Sequence, residues 1–136
     1  MRVLSYDPSS DFFFVDVTWD EFRQLAGKYE IQTGDMGVEE VIADYKVVLE
    51  DQKEMFEQAG DSFQQYLRDL YGIDDMPSVC LCVKRDLSEL RIDQYNYPFD
   101  HMWNGWSPWK RIETVAINDL SDLAALECVE KGRDNV

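Results

Sequence analysis

Between residues 36 and 71, apolar side chains recur at helical spacing, and no other feature constrains the fold as tightly. At about 100° per residue, Val38, Val41, Ile42, Tyr45, Val48, Leu49, Met55, Phe56 and Ala59 share one side of a helix. Phe63, Tyr66, Leu67 and Leu70 continue that stripe in phase. Gly60 weakens the middle, where Asp61 and Gln64 are residue types that cap a second helix. The unbroken phase favours one long helix, bent at Gly60, with Gly72 as its stop.

The rest of the chain supplies a sheet for this stripe to cover. Residues 3–6 and 12–17 read as strands joined by Asp7-Pro8-Ser9-Ser10-Asp11, a run suited to a tight reversal. Thr18 with Glu21 forms a capping box for a helix whose apolar side is Trp19, Phe22, Leu25 and Ala26, closed by Thr33-Gly34-Asp35. Residues 78–84 place Val79, Leu81 and Val83 opposite Cys80 and Cys82. Both faces are apolar, as in a strand covered on both sides. Residues 89–96 alternate as a half-exposed strand beyond a turn at Arg85-Asp86-Leu87-Ser88, and 111–117 form a third strand of this half. Asn118 caps an expected last helix over 119–131, with 131–136 as a frayed tail. The order β-β-α-α(long)-β-β-β-α predicts one α+β domain, 1–136. Its antiparallel sheet of four to five strands is covered on one side by helices.

Charge is concentrated on the same long segment. Residues 30–75 hold thirteen carboxylates against Lys46, Lys53 and Arg68, a local charge of −10 within a total of −15. Opposite the apolar stripe lie Glu40, Asp44, Glu50, Asp51, Glu54, Glu57 and Asp61, with Lys46 and Lys53 at the edge of that arc and Val47 near its centre. The row spans about 31 Å at 1.5 Å per residue. It presents a field comparable to a nucleic-acid backbone, whose protein receptors are basic. A solvated face of an amphipathic helix gives the same pattern. Against that plainer account, like charges at i,i+3 and i,i+4 destabilise a helix, and mixed charges serve solubility as well. A net charge of −15 disfavours direct binding to nucleic acid or anionic membranes.

Residues 95–109 hold six aromatics, including Trp103, Trp106 and Trp109, in a stretch broken by Pro98, Gly105 and Pro108. It reads as a structured loop. Its rings either fill a satellite core or anchor a partner, as tryptophans do at interface hot spots.

Catalytic and metal chemistry find little support. His101 is the sole histidine, and Cys80, Cys82 and Cys128 lack the spacing of zinc ligands, so buried free thiols are expected. Glu39-Glu40, Glu50-Asp51 and Asp74-Asp75 lack calcium-loop spacing, and there is no glycine-rich phosphate loop. No cofactor or metal is expected. No apolar run approaches the roughly 20 residues of a membrane span, and residues 1–7 lack a signal-peptide core, so a cytoplasmic location is expected.

The expected function is that of a non-enzymatic acidic inhibitor occupying a basic, nucleic-acid-binding surface of a partner protein. Phage-type DNA mimics and anti-defence (anti-CRISPR-like) inhibitors share this profile, an analogy of class rather than of sequence. The expected binding residues are Glu40, Asp44, Glu50, Asp51, Glu54 and Glu57 for charge, with Trp103, Trp106 and Trp109 as anchors. Alternatives are an immunity protein against a basic toxin nuclease, an acidic secretion chaperone, and an enzyme or ligand-binding domain with a pocket under 95–109. A homodimer stays open.

Overall fold

In the computed structural model, which describes residues 1–72, 74–75, 78–92 and 110–126, the strand-forming runs assemble into one antiparallel sheet. β1 (Arg2–Asp7) and β2 (Phe12–Val17) form a hairpin. β3 (Val79–Lys84) pairs with the other edge of β2, β4 (Leu90–Ile92) with β3, and β5 (Lys110–Ala116) with β1. The spatial order is β4-β3-β2-β1-β5. Three α-helices fill the crossover from β2 to β3: α1 (Trp19–Lys28), α2 (Val38–Gln58) and α3 (Phe63–Tyr71). A short 3-10 helix, Leu120–Ala125, follows β5. The chain is thus a mixed helix-and-strand fold with a five-stranded antiparallel sheet.

Local chemistry explains the joints. In the β1–β2 turn the Asp7 carboxylate accepts the Ser9 N–H at 3.0 Å, the Ser9 hydroxyl at 2.7 Å and the Ser10 hydroxyl. Asp11 takes a left-handed φ of 58° that aspartate tolerates better than most residues. Thr18 and Glu21 close the expected capping box on α1. The apolar run in β2 leaves every one of its residues buried, and β3 is buried from Val79 to Val83, so both faces of these central strands are covered. Ahead of α2, Gln32 bridges the outer edge of β4: its N–H donates to the Leu90 carbonyl at 2.9 Å, and its carbonyl accepts the Ile92 N–H at 3.3 Å.

The single long helix expected over 36–71 is two helices. Gly60 adopts φ +82°, the Gly60 N–H donates to the Glu57 carbonyl at 3.1 Å, and the Asp61 N–H reaches back to the Phe56 carbonyl at 2.9 Å. These paired bonds are the left-handed glycine stop of a Schellman motif. Ser62, not Asp61, then caps α3 by accepting the Gln65 N–H at 3.2 Å. The stripe keeps phase across the break because aromatic rings bridge it. Phe56 lies 5.1 Å from Phe63 and 4.6 Å from Tyr66, centroid to centroid. Gly72, at φ 68°, ends α3 as expected.

The buried part of the α2 stripe is narrower than the periodicity implies. Val41, Ile42, Tyr45 and Leu49 are buried and Phe56 is half-buried, whereas Met55 and Ala59 are exposed. The last helix also differs: Asp119 rather than Asn118 caps it, and it ends as a 3-10 helix at Ala125. The expected extension through 127–131, the tail and strand residues 93–96 lie outside the described residues.

One buried charge ties the start of the sheet to the approach to β3. The Asp16 carboxylate, 6% exposed, accepts the Arg2 Nε at 2.8 Å and the Ser78 N–H at 2.7 Å, while Arg2 Nη1 donates to Asp75 at 2.6 Å. Burial raises the Asp16 carboxyl to about 6, outweighing the Arg2 charge and the Ser78 hydrogen bond. This folded value lies above the ordinary aspartate value of about 3.9. The folded state therefore holds the proton more tightly than the unfolded chain. The stability that Asp16 contributes is present in full below about pH 4 and is lost as pH rises through 6.

Two measurements check this account. In NMR titration the Asp16 carboxyl is expected to have its midpoint near pH 6; urea unfolding of wild type minus Asp16→Asn is expected to fall from pH 4 to 6 and then level off. For the helix break, Gly60→Ala is expected to destabilise by about 1–2 kcal/mol, because its φ disfavours any Cβ although no atom lies within 4 Å of one. Gly27→Ala, inside α1 and equally free of contacts, is expected to stabilise by about 0.5–1 kcal/mol in the same assay.

Candidate interaction surface

α2 is laid on the sheet by its buried side chains, and this setting decides which residues face solvent. Tyr45 is 1% exposed and donates its hydroxyl to the Cys80 carbonyl of β3 at 3.1 Å. With Val41, Ile42 and Leu49 inward, Glu40, Asp44, Glu50, Asp51, Glu54 and Glu57 are all exposed. None of these six takes part in an ion pair among the described residues. Along the helix, Glu40 to Glu57 is about 26 Å at 1.5 Å per residue. The row is shorter than the expected 31 Å because Asp61 lies beyond the end of α2.

Of the cations near this ridge, Lys53 is exposed on α2 with no ion pair among the described residues, while Lys46 and Arg23 are held by other groups. Lys46 Nζ stands 5.2 Å from the centroid of the Trp19 ring on α1. Arg23 pairs with Glu39 at 2.7 Å and with Asp20 at 2.9 Å, and its hydrogen bond holds the Glu39 carboxyl below its ordinary range. Glu39 is thereby neutralised, whereas Glu40 is left facing solvent. The Arg23–Glu39 and Lys46–Trp19 contacts join two helices, so no local pattern in the sequence signals them, whereas Arg23–Asp20 is an i,i+3 pair within α1. Away from the ridge, Arg68 pairs with Asp74, Arg85 with Asp11 and Lys28 with Asp119. The Lys28 and Ser121 hydrogen bonds lower the Asp119 carboxyl to about 2.

Val47 and Met55 are the large hydrophobic side chains most exposed among the described residues, at 59% and 61%. Both belong to the outer half of α2. Val47 is where the sequence places it, at the centre of the acidic arc. Met55 was expected on the buried stripe and is instead at the border of the ridge, because the rings of α3 receive Phe56 and not its neighbour.

The described cavities are small and open. One of about 160 Å³ lies between α1 and the 3-10 helix, lined by Gln24, Lys28 and Asp119 among others. Another of about 310 Å³ lies between Tyr29, Glu30, Gln32 and the Ser88–Leu90 stretch. Small-molecule sites are typically ~300–1,000 Å³. Cys80 and Cys82 are buried free thiols, and no metal-ligating cluster occurs among the described residues. No described helix is long and apolar enough to cross a membrane. Trp103, Trp106, Trp109, His101 and any pocket under 95–109 lie outside the described residues. No protein-family model, curated protein or solved structure matches the chain.

Crowding of like charge on α2 has a measurable cost. Glu54 has Glu50, Asp51 and Glu57 at helical neighbour positions. Glu54→Gln is therefore expected to raise the melting temperature by roughly 1–3 °C at low ionic strength, and by less in 0.5 M salt.

Proposed function

We propose that this protein is a non-enzymatic binding protein whose α2 ridge occupies a basic, nucleic-acid-binding surface on another protein. The observation that supports this most is the unpaired state of the six ridge carboxylates among the described residues. Lys53 is the one unengaged cation of α2 among these residues, and Arg2, Arg23, Lys28, Lys46, Arg68 and Arg85 are engaged with other groups. A row kept acidic and rigid over about 26 Å presents a continuous negative potential. A protein surface that binds nucleic acid gains affinity by releasing counterions from phosphates, and a carboxylate row competes for the same cations. Long-range attraction speeds the encounter, and desolvated contacts slow release. The protein acts in the cytoplasm as an inhibitor of the DNA-mimic kind. Trp103, Trp106 and Trp109 belong to this reading as anchors on a second part of the interface.

An immunity protein or an acidic secretion chaperone would use the same surface on a different partner. An adjacent toxin or effector gene favours these, and phage neighbours favour the inhibitor.

The test replaces Glu40 and the other glutamates of the set by Gln, and Asp44 and Asp51 by Asn, in one variant (Glu40, Asp44, Asp51, Glu54, Glu57). Binding is then measured to a nucleic-acid-binding partner captured from the native host. The variant is expected to keep its circular dichroism and lose at least tenfold in affinity. Wild-type affinity is expected to fall at least tenfold between 50 and 300 mM salt, and duplex DNA to compete. Unchanged affinity in the variant removes the ridge from the interface.

A further inference from the structure

Carboxylates alone make a solvated helix face; on α2 they are joined by an exposed apolar pair, Val47 among them and Met55 at their border. Val47 has Asp44, Glu50 and Asp51 as helical neighbours, and Met55 follows Asp51 by one turn. The two positions are about 12 Å apart along the helix axis and about 80° apart around it. A polar surface selected for solubility gains nothing from an exposed valine within its most charged strip and an exposed methionine at the edge. A bare phosphate-binding groove has no use for them either, since its complement is charge without apolar contact.

We propose that the outer face of α2 docks a basic amphipathic helix of the partner, covering Val47 and Met55 with apolar side chains. Its lysines and arginines meet Glu50, Asp51 and Glu54. The inference rests on the inhibitor reading and names the element that the ridge engages. A facing helix repeats apolar and cationic positions every three to four residues, the same period as the ridge, so both kinds of contact register along a shared length. Nucleic-acid-binding proteins carry such helices exposed, because a helix is the element that enters the major groove. Covering that helix blocks the groove contact directly. Methionine suits the role, since its unbranched, polarizable side chain adapts to partners of varied shape.

The experiment uses the full chain and two synthetic 18-residue peptides of equal lysine and leucine content. One is spaced to form an amphipathic helix, and the other is scrambled so that no apolar face forms. Binding is followed by fluorescence anisotropy at 50, 150 and 300 mM salt. The amphipathic peptide is expected to bind at least tenfold more tightly than the scramble at 150 mM. The double variant Val47→Gln and Met55→Gln is expected to erase that preference while leaving the salt dependence unchanged. Both positions are exposed, so the variant is expected to keep the wild-type melting curve within a few degrees.

Equal binding of the two peptides, still salt-dependent and lost in the carboxylate variant, overturns the helix inference and leaves the ridge reading standing. Binding of either peptide that the carboxylate variant does not weaken overturns both. A preference that survives the double variant also overturns the helix inference.

Discussion

The rotational setting of α2 on the sheet governs the rest of the molecule. Tyr45 fixes it: a ring with 1% exposure cannot turn, and its hydroxyl is committed to the Cys80 carbonyl. Rotating the helix by one residue position would bury Glu50 in place of Leu49 and strand that hydroxyl. An unpaired buried polar group costs about 1–3 kcal/mol, and an unpaired buried charge more. The acidic ridge is therefore as well defined as the core, because one periodicity places both. The doubly covered strands β2 and β3 give the helix a firm base.

Much of this was legible in the residues. Thr18 with Glu21, the Asp7–Asp11 turn and the two apolar faces of β3 each carry their own physical reason, and each is found as read. The orientation of the ridge was legible too, since a periodic stripe fixes the opposite face without further knowledge. What escaped the reading depends on contacts that close only in space. The stop at Gly60 was hidden because Phe56, Phe63 and Tyr66 keep one apolar phase on both sides of it. The exposure of Met55 follows from the same cluster. The Arg23–Glu39 pair and the Lys46–Trp19 stacking join separate helices, so spacing along the chain says nothing about them.

The distribution of cations is as informative as that of acids. Arg2, Arg23, Lys28, Arg68 and Arg85 are each engaged by a carboxylate, and Lys84 and Arg91 flank the Phe12 ring at 5.9 and 5.0 Å. Apart from Arg68, whose partner Asp74 is six residues on, these contacts join different secondary-structure elements or the turns beside them. With the exception of Lys53, exposed on α2, the positive charges of the described side chains thus serve cohesion, and negative charge is displayed. Exposed ion pairs contribute little individually, so the arrangement matters more for the shape of the field than for the stability of the fold.

The junction between α2 and α3 has a practical use. Ala59, Gly60, Asp61 and Ser62 are all exposed, and the backbone N–H groups of Ala59, Gly60 and Asp61 reach back only into the last turn of α2, to Met55, Glu57 and Phe56. Such a corner accepts extra chain more readily than any buried joint. A reporter peptide or fluorophore grafted there would stand at the end of the ridge, outside its row of acids, and would make occupancy of that helix visible in a living cell.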